Sequence, residues 1–94
     1  RNGKQYGFIF ASGVFTIPWG ENHLELVKKT IEKLFHKCVC GFSFNMLDSR
    51  FLFKDPRYYY FNPKRIDRFC STLTSKRVLD YAYLPGDFTI RMFK

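Results

Sequence analysis

Apolar residues recur along this chain with two periods, and each period marks a kind of element. Over residues 4–19 they alternate: Tyr6, Phe8 and Phe10 precede Ala11-Ser12-Gly13, and Phe15, Ile17 and Trp19 follow it. Two alternating runs around a glycine able to take positive φ predict a β-hairpin. Pro18 marks the second run as an edge or a strand end. From 22 to 37 the period becomes helical. Leu24, Val27, Ile31, Leu34 and Phe35 fall on one face, and Glu25, Lys29, Glu32, Lys33 and His36 fall opposite. Asn22 is the expected N-cap, with Glu25 three residues on completing a capping box. Glu25 and Lys29 have the favourable i,i+4 order. Leu26 lies off the stripe.

Alternation returns at 38–47, where Phe42, Phe44 and Met46 predict a strand. Asp48-Ser49 reads as a turn. Arg50–Lys54 and Arg57–Phe61 read as two short strands joined at Asp55-Pro56, the second carrying the aromatic run Tyr58-Tyr59-Tyr60-Phe61. Asn62 as cap and Pro63 at the first helical position open a second helix over 63–74. Its apolar stripe is Ile66, Phe69, Cys70 and Leu73; Lys64, Arg65, Arg68 and Thr72 face outward. Arg77–Leu84 and Asp87–Phe93 form a closing strand pair turned at Pro85-Gly86.

This order, ββ-α-βββ-α-ββ, predicts an α+β fold: an antiparallel sheet with two helices packed on one face. An opening hairpin followed by a long helix fits a β-grasp-like topology. The same hairpin acting as one unit fits a ferredoxin-like one. The chain shows no repeat, low-complexity segment or linker. Its 94 residues suit a single domain, which buries roughly 60–65% of its surface on folding. Because the chain starts at Arg1 rather than Met, we expect a piece of a larger or processed protein. No apolar run approaches the ~18–20 residues of a membrane span, and no signal peptide is visible.

Composition sharpens this picture. At 46% hydrophobic and 20% aromatic, the chain is no disordered tail. Lys and Arg number 16 against 8 Asp and Glu, a net charge of +8. Residues 1–49 hold six basic against four acidic side chains, and residues 50–94 hold ten against four. Most of that excess lies in 50–77, where the basic residues interleave with Phe51, Phe53, Tyr58, Tyr59, Tyr60, Phe61 and Phe69.

Three cysteines, Cys38, Cys40 and Cys70, make a poor disulfide framework, so we expect a reducing, intracellular compartment, cytoplasmic or nuclear. The alternative is a Cys38–Cys70 or Cys40–Cys70 bridge with one thiol left over. His36, Cys38 and Cys40, completed by Cys70 or His23, are the available metal ligands. A lone C-x-C lacks the paired clusters of zinc sites, and no metal or other cofactor is assigned. Cys38 or Cys40 with His36 would be the nucleophile–base pair; His23 and His36 with a lysine would be the acid–base set. The carboxylates are scattered singly, and no glycine-rich phosphate loop is present. We therefore expect no catalysis.

Binding is the remaining class. Lys54, Arg57, Lys64, Arg65 and Arg68 are placed to neutralise phosphates, and Tyr58 and Tyr60 to stack bases. RNA-binding sheets carry aromatics on an open face, and a sheet with both helices on one side leaves such a face. The consensus of the common RNA-binding sheet is absent. The expected function is that of a non-enzymatic module binding RNA or single-stranded DNA through residues 50–68. A protein-interaction or oligomerisation domain is the alternative, because nineteen aromatics exceed the needs of one small core. An anionic membrane surface is a third, less favoured partner.

Overall fold

The computed structural model describes residues 6–82 and 84–94. Its elements are β1 (Tyr6–Ala11), α1 (His23–Lys37), β2 (Cys38–Asp48), β3 (Tyr60–Phe61), α2 (Pro63–Ser71), β4 (Arg77–Asp80) and β5 (Asp87–Phe93). The strands form one mixed sheet in the order β1-β2-β5-β4, with β3 alongside the end of β2. The antiparallel ladders β2–β5 and β4–β5 make up most of it. β1 and β3 pair with β2 in parallel. The fold is α+β, as expected, with both helices on one face.

That face is the core. Ala11 of β1, Phe42, Phe44 and Met46 of β2, and Phe88, Ile90 and Met92 of β5 meet Val27, Ile31 and Phe35 of α1 and Ile66 and Cys70 of α2. Each fully buried large apolar side chain contributes roughly 1.5–3 kcal/mol. The helical stripes are those the periodicity predicts, with Leu24, Leu34, Phe69 and Leu73 half-buried at their margins. His23 joins the core at 1% exposure. The Trp19 amide donates to its Nδ1 at 3.1 Å, so Nε2 carries the proton and donates to the Phe15 carbonyl at 3.0 Å. Its ring packs edge-on against Trp19 and Tyr59.

Five local expectations are corrected. The predicted hairpin over 4–19, of which 4 and 5 lie outside the described residues, does not form. Gly13 does take positive φ (70°), but its amide donates to Asn45 Oδ1 at 2.8 Å and Phe15 turns into the core. The partner of β1 is β2, reached through α1, so the start of the chain is a β-α-β unit. The two strands predicted over 50–61 shrink to Tyr60–Phe61, because the Asp48 and Asp55 carboxylates each accept from the backbone amide two residues on, at 2.9 Å, and fold those positions into turns. Asn22 makes no side-chain cap on α1. The other cap holds: Asn62 Oδ1 accepts from the Arg65 amide at 3.1 Å. α2 stops at Ser71, three residues early, and the Thr72 hydroxyl donates to the Phe69 carbonyl. The strand predicted over 77–84 ends at Asp80, and its Tyr83 lies outside the described residues.

Because β1, β2 and β4 run the same way, the described segments after them, 12–22, 49–59, 81–82 and 84–86, meet at one end of the sheet. The Tyr59 amide donates to the Thr16 carbonyl, and the Asp48 amide to the Gly86 carbonyl, both at 2.8 Å.

Candidate nucleic-acid interface

The cations predicted to bind phosphate fall into two groups. On α2, the 3.6-residue period puts Arg65, Arg68, Phe69 and Thr72 on one outward stripe, facing Lys28 of α1 across an open groove of ≈ 390 Å³. The Lys28 ammonium lies 5.7 Å from the centre of the Phe69 ring. Among the described residues no acidic side chain lies within 4.0 Å of Lys64, Arg65 or Arg68. Lys28 has only Glu25, at that limit. Lys64 is exposed on the flank of the same helix.

In the 49–59 loop the arginines are held. Arg57 Nη2 lies 2.6 Å from Asp55 Oδ2, and its Nε donates to Oδ1 at 3.0 Å. Arg50 repeats this on Asp48 at 2.7 and 3.0 Å. Hydrogen bonds from these guanidinium groups hold the Asp48 and Asp55 carboxyls below the usual carboxylate range. Lys54 is exposed, with no such ion pair among the described residues.

The tyrosines connect the two groups. Tyr60 is half-buried, and its hydroxyl accepts from the Asp55 amide at 2.7 Å. It lines a cleft of ≈ 330 Å³ with Tyr59, Asn62 and Arg65. It also lines a second, of similar size, with Tyr58, Phe51 and Phe53. Tyr58 is exposed, under the Arg57 guanidinium at 5.5 Å. Arg65 is shared by the groove and the first cleft, and Tyr60 by both clefts. Arg68 and Arg65 therefore border the groove, Arg65 and Tyr60 the first cleft, and Tyr60 and Tyr58 the second; Lys54, Arg57 and Lys64 line none of the three. Lys28, which the sequence reading missed, enters because α1 packs beside α2. Its place on the margin of the α1 apolar stripe, one residue beyond Val27, is the signal that would have found it.

The other face of the sheet is open. Phe8 and Phe10 of β1, Val39 of β2, Phe93 of β5 and Val78 of β4 are exposed there. Phe8 and Phe93 lie 6.2 Å apart across Gly41. A Cβ on Gly41 would collide with the Met92 carbonyl and sit 3.0 Å from the Phe8 ring, so only glycine fits. Among the described residues, the cation placed on this face is Arg91, and it is tied to Asp80 at 2.9 Å.

The remaining candidates stay apart. All three cysteines are free. Burial pushes the Cys70 thiol up to about 12 and raises that of Cys38, so both stay protonated at neutral pH. His36 is exposed beside Glu32 at 3.8 Å. No group of three metal-ligating side chains comes together among the described residues, and no described helix is long and apolar enough to cross a membrane. No family model, curated protein or solved structure matches this chain.

Proposed function

We propose that the chain is a non-enzymatic module that binds RNA or single-stranded DNA through the α2 groove at Arg65 and Arg68 and the clefts lined by Tyr60 and Tyr58. The observation that carries this reading is the pair Arg65 and Arg68, which have no acidic partner among the described residues, beside Lys28, whose one acidic neighbour is Glu25 at 4.0 Å, with Arg65 also lining an aromatic cleft. Phosphates lie against the helix groove, where binding releases counterions. Bases stack on Tyr60 and Tyr58, each worth roughly 1–3 kcal/mol. No base-edge reader is assigned, so sequence preference is expected to be weak.

Charge and stacking separate experimentally. Replacing both arginines (R65A/R68A) removes two exposed side chains and leaves the core intact. On a mixed single-stranded oligonucleotide, the slope of log affinity against log salt is expected to shrink by about 1.4 for two lost phosphate contacts. Tyr58→Ala is expected to lower affinity with little change in slope. Absence of micromolar affinity at low salt in the unaltered chain rejects the reading.

The open sheet face favours a second reading, a protein-interaction or oligomerisation surface. An exposed apolar patch whose cation among the described residues, Arg91, is already paired suits a protein better than a polyanion. Concentration-dependent self-association that Phe10→Ser abolishes, in a chain without oligonucleotide affinity, would promote it.

A further inference from the structure

Asp87 opens β5 directly after the Pro85-Gly86 turn and borders the second cleft, the one that Tyr60 lines with Phe51, Phe53 and Tyr58. With Phe51 and Gly86 it also borders a smaller cavity of ≈ 240 Å³ that holds Asp48, Arg50 and Tyr81. Its amide donates to the Leu84 carbonyl at 3.1 Å, but among the described residues no ion pair or hydrogen bond engages its carboxylate. Arg50, Arg57 and Arg91 are each committed to another aspartate, Asp48, Asp55 and Asp80. Asp87 is half-buried, and loss of water around it pushes its carboxyl above the ordinary value. A well-solvated turn aspartate shows no such shift. A half-buried acceptor among aromatic side chains, without a donor of its own, is left for a ligand to satisfy.

The surroundings decide which donor fits. Four aromatic side chains line the cleft, so a flat ring is held there by its faces and presents an edge to the carboxylate. Two carboxylate oxygens accept two parallel N–H bonds, as they do from a guanidinium fork. The bases of a single strand have their pairing edges free. Guanine alone carries two adjacent donors on that edge, N1–H and N2–H. Uracil and thymine offer one N–H between two carbonyl oxygens. Cytosine and adenine offer one amino group beside a bare ring nitrogen. In each of these an acceptor lone pair would meet the carboxylate. The negative charge of Asp87 also disfavours a phosphate in this cleft, which leaves phosphates to Arg65 and Arg68 and the cleft to a base.

Resting on the nucleic-acid reading above, we propose that the cleft of Tyr58 and Tyr60 selects guanine, with Asp87 accepting from N1–H and N2–H of the base stacked there. Asp87 is then the edge reader that the groove and the tyrosines lack, and the preference is confined to one position of an otherwise sequence-tolerant strand. Short labelled uridine oligonucleotides, plain or with one central guanosine, inosine or adenosine, test it by fluorescence anisotropy. The unaltered chain is expected to bind the guanosine strand about fivefold or more tighter than the plain and adenosine strands. Inosine keeps N1–H but lacks the amino group, and is expected to lose most of that gain. Asp87→Asn is expected to abolish the preference while affinity for the plain strand is kept, since no phosphate contact is removed. The guanosine–inosine comparison needs no variant, and equal affinities there overturn the proposal. If the guanosine and plain strands bind equally, the proposal falls while the nucleic-acid reading stands. It falls too if Asp87→Asn weakens all strands alike, which makes Asp87 structural, or retains the preference, which places the reader elsewhere. If no strand binds at low salt, the proposal and the reading beneath it fall together.

Discussion

The 49–59 loop and helix α2 are adjacent in sequence and similar in composition, each rich in basic and aromatic residues, yet their cations are in opposite states. Both loop arginines are locked onto an aspartate two residues earlier by two guanidinium hydrogen bonds and one from the backbone amide. The α2 arginines at 65 and 68 have no acidic partner among the described residues and line a groove. The spacing Asp-x-Arg decides this: an aspartate that accepts from the amide at i+2 leaves its second oxygen facing that residue's side chain. Arg65 and Arg68 are followed or interrupted by Asp67, but Asp67 is taken by Arg77 at 2.8 Å. A segment's formal charge therefore overstates what is free to meet a ligand, and the pairing pattern within it says where the free charge lies.

That contrast can be broken first by stability. Asp48 is 6% exposed and accepts three hydrogen bonds from Arg50. Asp48→Ala is expected to cost about 1–3 kcal/mol in chemical denaturation, since hydrogen bonds to a charged group are lost and an amide is stranded. Replacing Arg65 or Arg68 by Ala is expected to cost at most about 0.5 kcal/mol each. Equal losses would erase the distinction between a structural and a free cation.

A second measurement sharpens the comparison from the loop side. Asp55→Asn neutralises the partner of Arg57 and frees that guanidinium beside Tyr58. The salt dependence of oligonucleotide binding is then expected to steepen by up to about 0.7, one added phosphate contact. An unchanged slope would mean that Arg57 lies off the path of the strand.

The smallest expected effect is in pH. Folded Asp48 and Asp55 hold their protons less tightly than the unfolded chain does. Below the ordinary carboxylate range, about pH 4, the unfolded state binds more protons and stability falls. Asp87, whose carboxyl is raised by burial, contributes with the opposite sign and flattens the upper part of the curve. The urea midpoint is expected to drop between about pH 5 and 3, and less steeply in Asp48→Asn.

The elements that were legible in the sequence are those whose apolar period is unambiguous. Val27, Ile31 and Phe35, then Phe42, Phe44 and Met46, point inward as their spacing requires. The start of the chain was not legible, because Phe8-Ile9-Phe10-Ala11 is apolar on both sides. The smaller pair, Ile9 and Ala11, faces the core and the phenylalanines face out. Aromatic enrichment at 51–61 suggested strands, but two aspartates took backbone amides that a ladder would have used. Of the candidate site, Arg65, Arg68, Tyr58 and Tyr60 could be read from the sequence. Lys28 and the open sheet face depend on which strands pair, and local pattern does not carry that.

Trp19 is the sole tryptophan of the chain. It is 44% exposed, its indole stands edge-on to His23 at 5.2 Å, and it sits at the end of the sheet that carries the 49–59 loop. The molecule therefore has an intrinsic optical probe. Its emission is coupled to the core through His23 and to the surroundings through its exposed edge, so unfolding shifts it to the red and transfer of that end out of water shifts it to the blue. One unlabelled chromophore distinguishes the loss of the fold from the arrival of a partner.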